Sequence, residues 1–464
     1  MDTSRWGVVT TAGNGTGQAD ITRATANMAA HHRRIAWHEA ATAGDEPASS
    51  APLADKADLV GRVGLMLLAA GTGAWRVREA MNRMSDVLGV TCVADVGLTS
   101  ISASVRDGDE LTNVVLSLPS SGVNTERIWL LERAVADLEA SGADLTVHEW
   151  HDKLDRIERV PGRYAPWAAG LASAFACGAF VFLLGGGPIE MLCAFVGAGI
   201  GNWLRRLMLD RHINQFCAIG GSVACACLAY LAVLNLLPLV GVADAASHEV
   251  GYIGAMLFVI PGFPLITSGL DLMKLDLRSG IERLVYAVAV IFVATLVAWL
   301  VASFVALTPG DFEKMGLTPL AYCLLRLVAS FVGVYGFSVM FNSPPRMAAT
   351  AGLIGMVANT LRLELVSLAG TPPEAAAFAG ALTAGLLASA VCRRVGFPRI
   401  SLTVPSIVIM VPGLYMYKAI YYMGIFDAAN MTAWLARAVI IVAFLPLGLG
   451  LARALTDTRW RHCS

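Results

Sequence analysis

The stretch "FVIPGFPLI", Phe258–Ile266, lies inside an apolar run that is otherwise long enough to cross a membrane. Two prolines and one glycine fall within four consecutive positions of this stretch. Because proline lacks an amide hydrogen and clashes with the preceding helical turn, we predict a broken helix at Pro261-Gly262. In lipid, backbone groups freed by a break are tolerated where they line a cavity, so this break is predicted to line one. A simple proline kink is the alternative interpretation.

The chain combines a moderately polar start with a very apolar remainder. It has 464 residues, of which 56% are hydrophobic and 15% charged, and its mean hydropathy is +0.62. Since the first 160 residues are not unusually apolar, the composition predicts a soluble domain followed by an α-helical polytopic membrane part. The net charge of −1 gives no electrostatic support for binding nucleic acid. The nine cysteines show no zinc-binding spacing, so we expect reduced cysteines and neither a metal nor a cofactor.

The N-terminal third is predicted to contain a tail and one small domain. Residues 1–52 lack periodicity and are expected to be disordered. Residues 53–160 combine helical spacing with three β-rich stretches, one pair of which is joined by the turn signal "RDGDE", so an α+β domain is predicted there. The first residues lack a basic start followed by an apolar core, so we expect this domain to stay in the cytoplasm.

The stretch "HEWHDKLDRIE", residues 148–158, is the candidate chemical motif of that domain. On a helix its two histidines and two aspartates share one face, at i, i+3, i+4 and i+7. The pattern is typical of a charged amphipathic connector, but a gating or proton-relay element and a metal or hydrolase site are alternatives. The zinc-protease pattern is absent because an aspartate stands four positions after the first histidine. The candidate residues are His148, Glu149, His151, Asp152 and Asp155.

Ten apolar segments of about 20 residues follow, the length that a bilayer core requires. Five belong to residues 161–310 and five to residues 311–464, which also include a short tail. The predicted spans are 165–184, 188–208, 215–240, 249–272, 283–307, 317–341, 346–369, 375–392, 400–424 and 431–454. The connections assigned to the inside hold thirteen Lys and Arg residues, among them Arg283, whereas those outside hold one, Lys314. This bias predicts that both termini are cytoplasmic.

The broken span has a counterpart later in the chain. "VIPGFPLI" at 259–266 recurs as "MVPGLYMY" at 410–417, which places Pro412-Gly413 at an offset of 151 from Pro261-Gly262. Similarly, "GNWLRRL" at 201–207 recurs as "ANTLRLE" at 358–364, at an offset of 157. An odd number of spans per repeat forces the second copy to enter the membrane upside down. The sequence therefore predicts two inverted five-helix repeats, the architecture of many secondary transporters.

Polar groups near these breaks are the candidate ligand contacts. A half-helix N-terminus can hold a carboxylate and freed carbonyls can hold an ammonium group, a combination that suits a zwitterionic amino acid. Intramembrane ionisable side chains are functional candidates, although arginines near span ends also snorkel and threonines often bond their own backbone. The substrate-binding candidates are Pro261, Gly262, Thr267, Pro412, Gly413, Lys418, Asn202, Asn359, Arg362 and Arg326. The proton-coupling candidates are Asp271 and Glu364.

Three stretches resemble the threonine/serine exporter family: "AAGTGAWRVREAMNRMSDVLGV", "VHEWHDKLDRIE" and "VIPGFPLITSGLDLMKLDLRSGIERL". The resemblance covers about residues 57–455, with two family halves fused in one chain. It implies export of threonine and serine across a bacterial cytoplasmic membrane, driven by the proton motive force, by a protein that is not an enzyme. Relatives with split halves are associated with dicarboxylate export, so export of succinate-like acids is one alternative. A membrane-anchored hydrolase using residues 148–155 is another. The expected partners are a small-molecule substrate, protons, the bilayer and a second copy of the chain.

Overall fold

The computed structural model describes residues 35–141, 144–240, 246–312 and 315–462. The chain divides into two compact units, one ending at Gly162 and the other beginning at Arg163. The predicted tail residues 1–34 lie outside the described residues.

The first unit packs helices on one face of a three-stranded antiparallel sheet. Its helices are α1 (Trp37–Ala40), α2 (Leu53–Ala69), α3 (Ala74–Val87), α4 (Thr125–Ser141) and α5 (Val147–Glu158). Its strands are β1 (Thr91–Val96), β2 (Ser100–Asp107) and β3 (Glu110–Ser117), in the spatial order β1-β2-β3. The turn between Asp107 and Glu110, which face each other in the register, is the one that "RDGDE" predicts. Alternate residues of β2, including Ile101 and Val105, point into the core.

Residues 35–52 differ from the predicted disorder. Ala43, Ala48 and Ala51 are buried in the core of the first unit, and Asp55 accepts hydrogen bonds from the backbone of Thr42 and Ala43. A composition rich in small residues suggested a tail, but small side chains are also those that pack closely against helices. The carboxylate of Asp55 fixes this segment by satisfying its backbone donors.

The second unit is all helical. Its first half contains α6 (Pro166–Leu184), α7 (Pro188–Asp210), α8 (Gln215–Leu236), α9 (Tyr252–Met256), α10 (Gly262–Met273) and α11 (Leu277–Phe304). Its second half contains α12 (Pro319–Met340), α13 (Pro345–Ala369), α14 (Pro373–Val395), α15 (Arg399–Val408), α16 (Gly413–Gly424) and α17 (Ala428–Thr456), followed by the short α18 (Thr458–Arg461). Short 3-10 segments, Ala246–Gly251 and Leu257–Val259, flank α9.

Among the described residues, seven helices are long and apolar enough to cross a membrane, or nine spans when each of two bent pairs is counted as one. The prediction of a polytopic helical membrane protein is therefore confirmed. The remaining predicted span corresponds to α7, which has 23 residues but carries Glu190, Arg205, Arg206 and Asp210. The count of ten spans stays a prediction. Arg283, predicted to lie in a connection, is buried within α11.

Helix contacts of the first half recur in the second. The pairs α6–α7, α7–α8, α8–α11 and α10–α11 have as counterparts α12–α13, α13–α14, α14–α17 and α16–α17. The two halves meet where α6 packs on α12. A Cβ atom added at Gly336 of α12 would lie 2.6 Å from the carbonyl oxygen of Ala172 on α6, so this packing depends on a small residue.

Candidate functional site

Two breaks in the helices define the candidate site. The segments His248–Val259 and Gly262–Met273 are bent by 58°, and Arg399–Val408 and Gly413–Gly424 by 50°. Both bends fall at the proline-glycine pairs singled out in the sequence. Because proline cannot donate to the preceding turn, the helix ends before each pair and a new helix starts at its glycine.

The backbones of the two breaks have nearly the same geometry. Pro261 has φ −81° and ψ 62°, and Pro412 has φ −82° and ψ 56°. In each break the glycine N–H donates to the carbonyl two residues earlier, over 2.8 Å from Gly262 and 2.9 Å from Gly413. This pattern is an inverse γ-turn centred on the proline. In both breaks, the γ-turn thus provides a hydrogen-bond acceptor for the first amide of the helix that follows the proline.

The two breaks also pack against each other reciprocally. A Cβ atom on Gly262 would lie within 3.4 Å of Val408 and Val411. A Cβ atom on Gly413 would lie within 3.4 Å of Leu257 and Ile260. Leu257, Ile260 and Gly262 each lie 151 positions before Val408, Val411 and Gly413, respectively. The two sets of contacts are therefore equivalent, as a twofold relation between the breaks requires.

A small apolar cavity of about 10 Å³, room for about one water molecule, lies between the breaks. Its walls are Phe180, Leu257, Ile260, Gly262, Phe337, Val408, Val411 and Gly413. The cavity is smaller than typical ligand pockets, which measure roughly 300–1,000 Å³. The polar candidates of the sequence are absent from this set of wall residues.

Two buried asparagines stand at equivalent positions, 157 residues apart. The side-chain amide of Asn202 donates to the carbonyl of Ala169 over 2.8 Å, and that of Asn359 donates to the hydroxyl of Ser330 over 2.9 Å. Within the part of the chain that the structure describes, the Oδ1 atom of each asparagine is buried and has no hydrogen-bond partner. Asn202 thus links α7 to α6, and Asn359 links α13 to α12. The side-chain oxygen of each remains able to accept a hydrogen bond.

Arg362 connects the second polar motif with the second break. Its guanidinium donates to the carbonyl of Met410 over 3.3 Å, two residues before Pro412. On the same helix, Glu364 pairs with Arg326 over 2.9 Å, and Arg326 also donates to Ser367. The structure therefore places Arg362 at the break, whereas the pair Arg326–Glu364 joins α12 to α13.

The other membrane candidates lie in separate contacts. Asp271, at the end of α10, accepts from Ser279 over 2.8 Å and pairs with Arg283 over 3.4 Å, and all three side chains are buried. Lys418 is buried with its Nζ atom 3.0 Å from Asp311. Thr267 donates to the carbonyl of Phe263 in its own helix.

The motif at residues 148–158 is organised by a residue that the sequence did not single out. Arg62 of α2 is buried and donates to Asp155, to Glu158 over 3.0 Å and to His151 Nδ1 over 3.1 Å. Since guanidinium only donates, Nδ1 of His151 must be the acceptor and the ring neutral. Burial, with Arg62 adding positive charge, lowers the pKa of His151 to about 4.

The remaining motif residues have individual roles. Burial would raise the pKa of Asp155, but hydrogen bonding and charge from Arg62 outweigh it, so this pKa lies below its ordinary value. Glu149 forms a capping box with Thr146 at the start of α5. His148 stacks on His38, which lies 3.8 Å from Asp152. No cluster of metal-ligand geometry occurs in the described residues.

Sequence reasoning missed one contact between the broken helices. The hydroxyls of Tyr252 on α9 and Tyr417 on α16 contact each other, and both side chains are fully buried. The available signal was that each tyrosine lies within ten residues of a break.

Models of known protein families match nearly the same part of the chain as the resemblance found in the sequence, which covers about residues 57–455. The family model described as "Putative threonine/serine exporter" matches residues 58–305, and the one described as "Threonine/Serine exporter, ThrE" matches residues 326–455. The chain belongs to the threonine/serine exporter family. The resemblance inferred from sequence is confirmed, and the chain is a multi-pass membrane protein of a bacterial transporter family.

Individual members of the family are distant relatives. The chain is 24% identical to the "Threonine/serine exporter" of Corynebacterium glutamicum over 91% of this chain and 89% of that protein. It is also 24% identical to the "Probable threonine/serine exporter" of Mycobacterium tuberculosis, over 80% of this chain and 71% of that protein. The "Probable succinate transporter subunit YjjP" of Escherichia coli is 25% identical over 47% of this chain and 83% of that protein. No solved structure matches the chain.

Proposed function

We propose that this exporter-family protein moves small hydroxylated amino acids, threonine and serine, out of the cytoplasm by alternating access around its two broken helices. Protons are the proposed coupling ion, both termini are proposed to be cytoplasmic, and residues 161–310 and 311–464 are proposed as inverted repeats. The reciprocal packing of Gly262 and Gly413 across an offset of 151 carries this proposal. A site between two related broken helices can face either side of the membrane in turn.

The local chemistry at the breaks supports a zwitterionic substrate. The helices α10 and α16 begin at Gly262 and Gly413, whose positions line the cavity. The N-terminal amides of a helix attract a carboxylate. Since the γ-turn already bonds the amide of each glycine, the amides that follow it are the ones that could bind the carboxylate. The interrupted α9 and α15 end in carbonyl groups, which can accept from an ammonium group. Arg362, bound to the Met410 carbonyl, adds a positive charge that can be redirected to a substrate carboxylate.

The small size of the cavity supports a conformational cycle. About 10 Å³ between apolar walls leaves room for about one water molecule and not for an amino acid, and the walls offer side chains of Phe, Leu, Ile and Val. A polar substrate therefore requires that the breaks separate enough to expose their backbone groups. Such movement is what alternating access involves, since the broken helices are the parts that rearrange.

Export of a small dicarboxylate is the second candidate. The relative named as a succinate transporter subunit is 25% identical over 47% of this chain. Two helix N-termini and Arg362 together could accommodate two carboxylates. The substrate panel of the transport experiment separates this candidate from the first, because succinate lacks the ammonium group that the freed carbonyls would bind.

A hydrolase reaction at residues 148–155 finds less support in the geometry. His151 uses Nδ1 to accept from Arg62, and Asp155 is held by the same guanidinium. Both groups are therefore engaged in binding α5 to α2. We propose that the motif is a structural element of the cytoplasmic domain.

The test is transport by full-length protein in proteoliposomes with an imposed pH gradient. Labelled threonine and serine should accumulate, whereas succinate should not. The double replacements Pro261→Ala with Gly262→Ala, and Pro412→Ala with Gly413→Ala, should each abolish transport without loss of membrane insertion. If folded protein transports neither threonine nor serine under any gradient, the proposal is refuted. If both break variants transport at the wild-type rate, the breaks are simple proline kinks without a role in transport.

A further inference from the structure

We propose that Tyr252 and Tyr417 form a gate that closes the cavity between the breaks on one side, and that this contact sets which side of the transporter is closed at rest. The inference deepens the proposed function and rests on it. By the predicted orientation, the side closed by this gate is the outer one.

The position of the pair follows from the two breaks. Tyr252 precedes the first break by nine residues, in the half-helix segment that also supplies Leu257 to the cavity wall. Tyr417 follows the second break and lies one helical turn beyond Gly413. The hydroxyls touch each other and the ring centroids lie 5.7 Å apart, edge to face. The pair therefore joins the leading half of one broken helix to the trailing half of the other.

The equivalent positions on the other side of the breaks lack such a contact. At an offset of 151, Tyr252 corresponds to Thr403 and Tyr417 to Ile266. The hydroxyl of Thr403 donates to the carbonyl of Arg399 in its own helix, and Ile266 has no polar side-chain atom. The backbone of the breaks is thus nearly symmetric, whereas the hydroxyl contact exists on one side only.

A second polar contact lies on the same side. Lys418, next to Tyr417, reaches Asp311 in the connection between the two halves, and its Nζ atom lies 4.5 Å from the centroid of the Trp434 ring. Its equivalent position is Thr267, which bonds its own helix. Lys418 is buried while Asp311 is exposed, so outward movement of α16 would separate the ion pair and hydrate the lysine. Both contacts favour the closed position of this side.

The gate makes a specific energetic prediction. Opening must separate two fully buried hydroxyls, each of which is satisfied by the other. Replacing one tyrosine by phenylalanine leaves the other hydroxyl buried and unsatisfied, which destabilises the closed state. Replacing both tyrosines removes both hydroxyls, so no buried hydroxyl is left without a hydrogen-bond partner. Single variants should therefore open this side more than wild type does, and the double variant should open it no further than the larger single effect.

The experiment is hydrogen–deuterium exchange on the full-length protein in lipid nanodiscs, with Tyr252→Phe, Tyr417→Phe and the double variant. We expect exchange in peptides covering residues 248–259 and 413–424 to rise about fivefold in each single variant, with peptides covering 262–273 and 399–408 unchanged. Tyr422→Phe, on the same helix but outside the pair, is the matched control. Lys418→Gln should raise exchange in 413–424 independently.

Unchanged exchange in both single variants, or additive increases in the double variant, would overturn the gate. A general rise that includes 262–273 and 399–408 would also overturn it, because loosened packing has no side preference. The exchange result does not depend on transport. Failure of wild-type protein to move threonine and serine would therefore count against the proposed function, while the gate is judged by the side on which exchange rises.

Discussion

Phe180 and Phe337 pack edge to face with 6.4 Å between their ring centroids, and they stand 157 positions apart, at equivalent places in α6 and α12. A residue that contacts its own equivalent lies on the axis relating two copies. Both rings also line the cavity between the breaks. The proposed twofold axis therefore passes through the cavity.

Shortening either ring should have nearly the same effect. Phe180→Leu and Phe337→Leu each enlarge the cavity from an equivalent side, at a cost on the order of 1 kcal/mol in stability. Transport of the larger valine, relative to serine, is expected to increase in both variants, as measured by competitive uptake into proteoliposomes. Phe304→Leu, at an exposed position, serves as control. Strongly unequal shifts in the two variants would contradict the axis.

Transport is expected to require the guanidinium group of Arg362 and not only its positive charge. Arg362→Lys keeps a cation but loses the planar guanidinium that reaches the Met410 carbonyl, and Arg362→Met loses both. A hydrogen bond from a charged group is worth about 1.5–3 kcal/mol, so both variants should lower transport efficiency by roughly 10- to 100-fold. Initial rates over a range of threonine concentrations provide the measurement, with the exposed Arg346→Met as control. Equal rates in wild type and Arg362→Met would show that the contact is incidental.

The buried pair Asp271–Arg283 should be important for stability as well as coupling. Removing one partner of a buried ion pair costs about 3–5 kcal/mol, so Asp271→Asn and Arg283→Gln should lower the Tm of the purified protein by several degrees. The exposed Arg278→Gln provides the comparison.

If Asp271 also carries the coupling proton, its amide variant should still exchange substrate across the membrane but lose accumulation driven by a pH gradient. Glu364→Gln is the parallel test for the second predicted carrier. Gradient-driven accumulation by Asp271→Asn would assign coupling elsewhere.

The N-terminal unit should lose stability as the pH falls below about 6.5. His151 has a pKa of about 4 when folded, against 6.5 for an unperturbed histidine, so the unfolded chain binds more protons between these values. Stability is fully present above pH 6.5 and decreases toward pH 4 by up to about 1.4 kcal/mol per pH unit. His151→Asn keeps an acceptor for Arg62 without a titrating ring and should flatten this dependence in melting experiments. An equally steep decline in the variant would assign the effect to other groups.

The sequence predicted the breaks because proline and glycine act locally, and the recurrence of Pro261-Gly262 at Pro412-Gly413 identified the second one. The family followed from the same stretches. Other contacts depended on tertiary placement. Tyr252 and Tyr417 lie 165 residues apart, and although each lies within ten residues of a break, the sequence does not indicate that their hydroxyls meet.

The same limit applies to charged groups. Arg62 stands in an ordinary amphipathic helix, and its burial against His151 and Asp155 depends on how α5 packs on α2. Arg283 was counted with Lys274 and Arg278 in one predicted connection, yet its side chain is buried against Asp271 and Ser279. Charge counts predict orientation but do not indicate which cation has a buried partner.

The γ-turns at Pro261 and Pro412 have a thermodynamic consequence. Because their dihedral angles agree within a few degrees, exchanging the conformations of the two halves would cost almost nothing in backbone torsional energy. The two end states of a transport cycle would then be close to degenerate in the main chain. A few side chains, which mutate independently of the hinge, would determine the resting population, so related exporters can differ in resting state while keeping identical hinges.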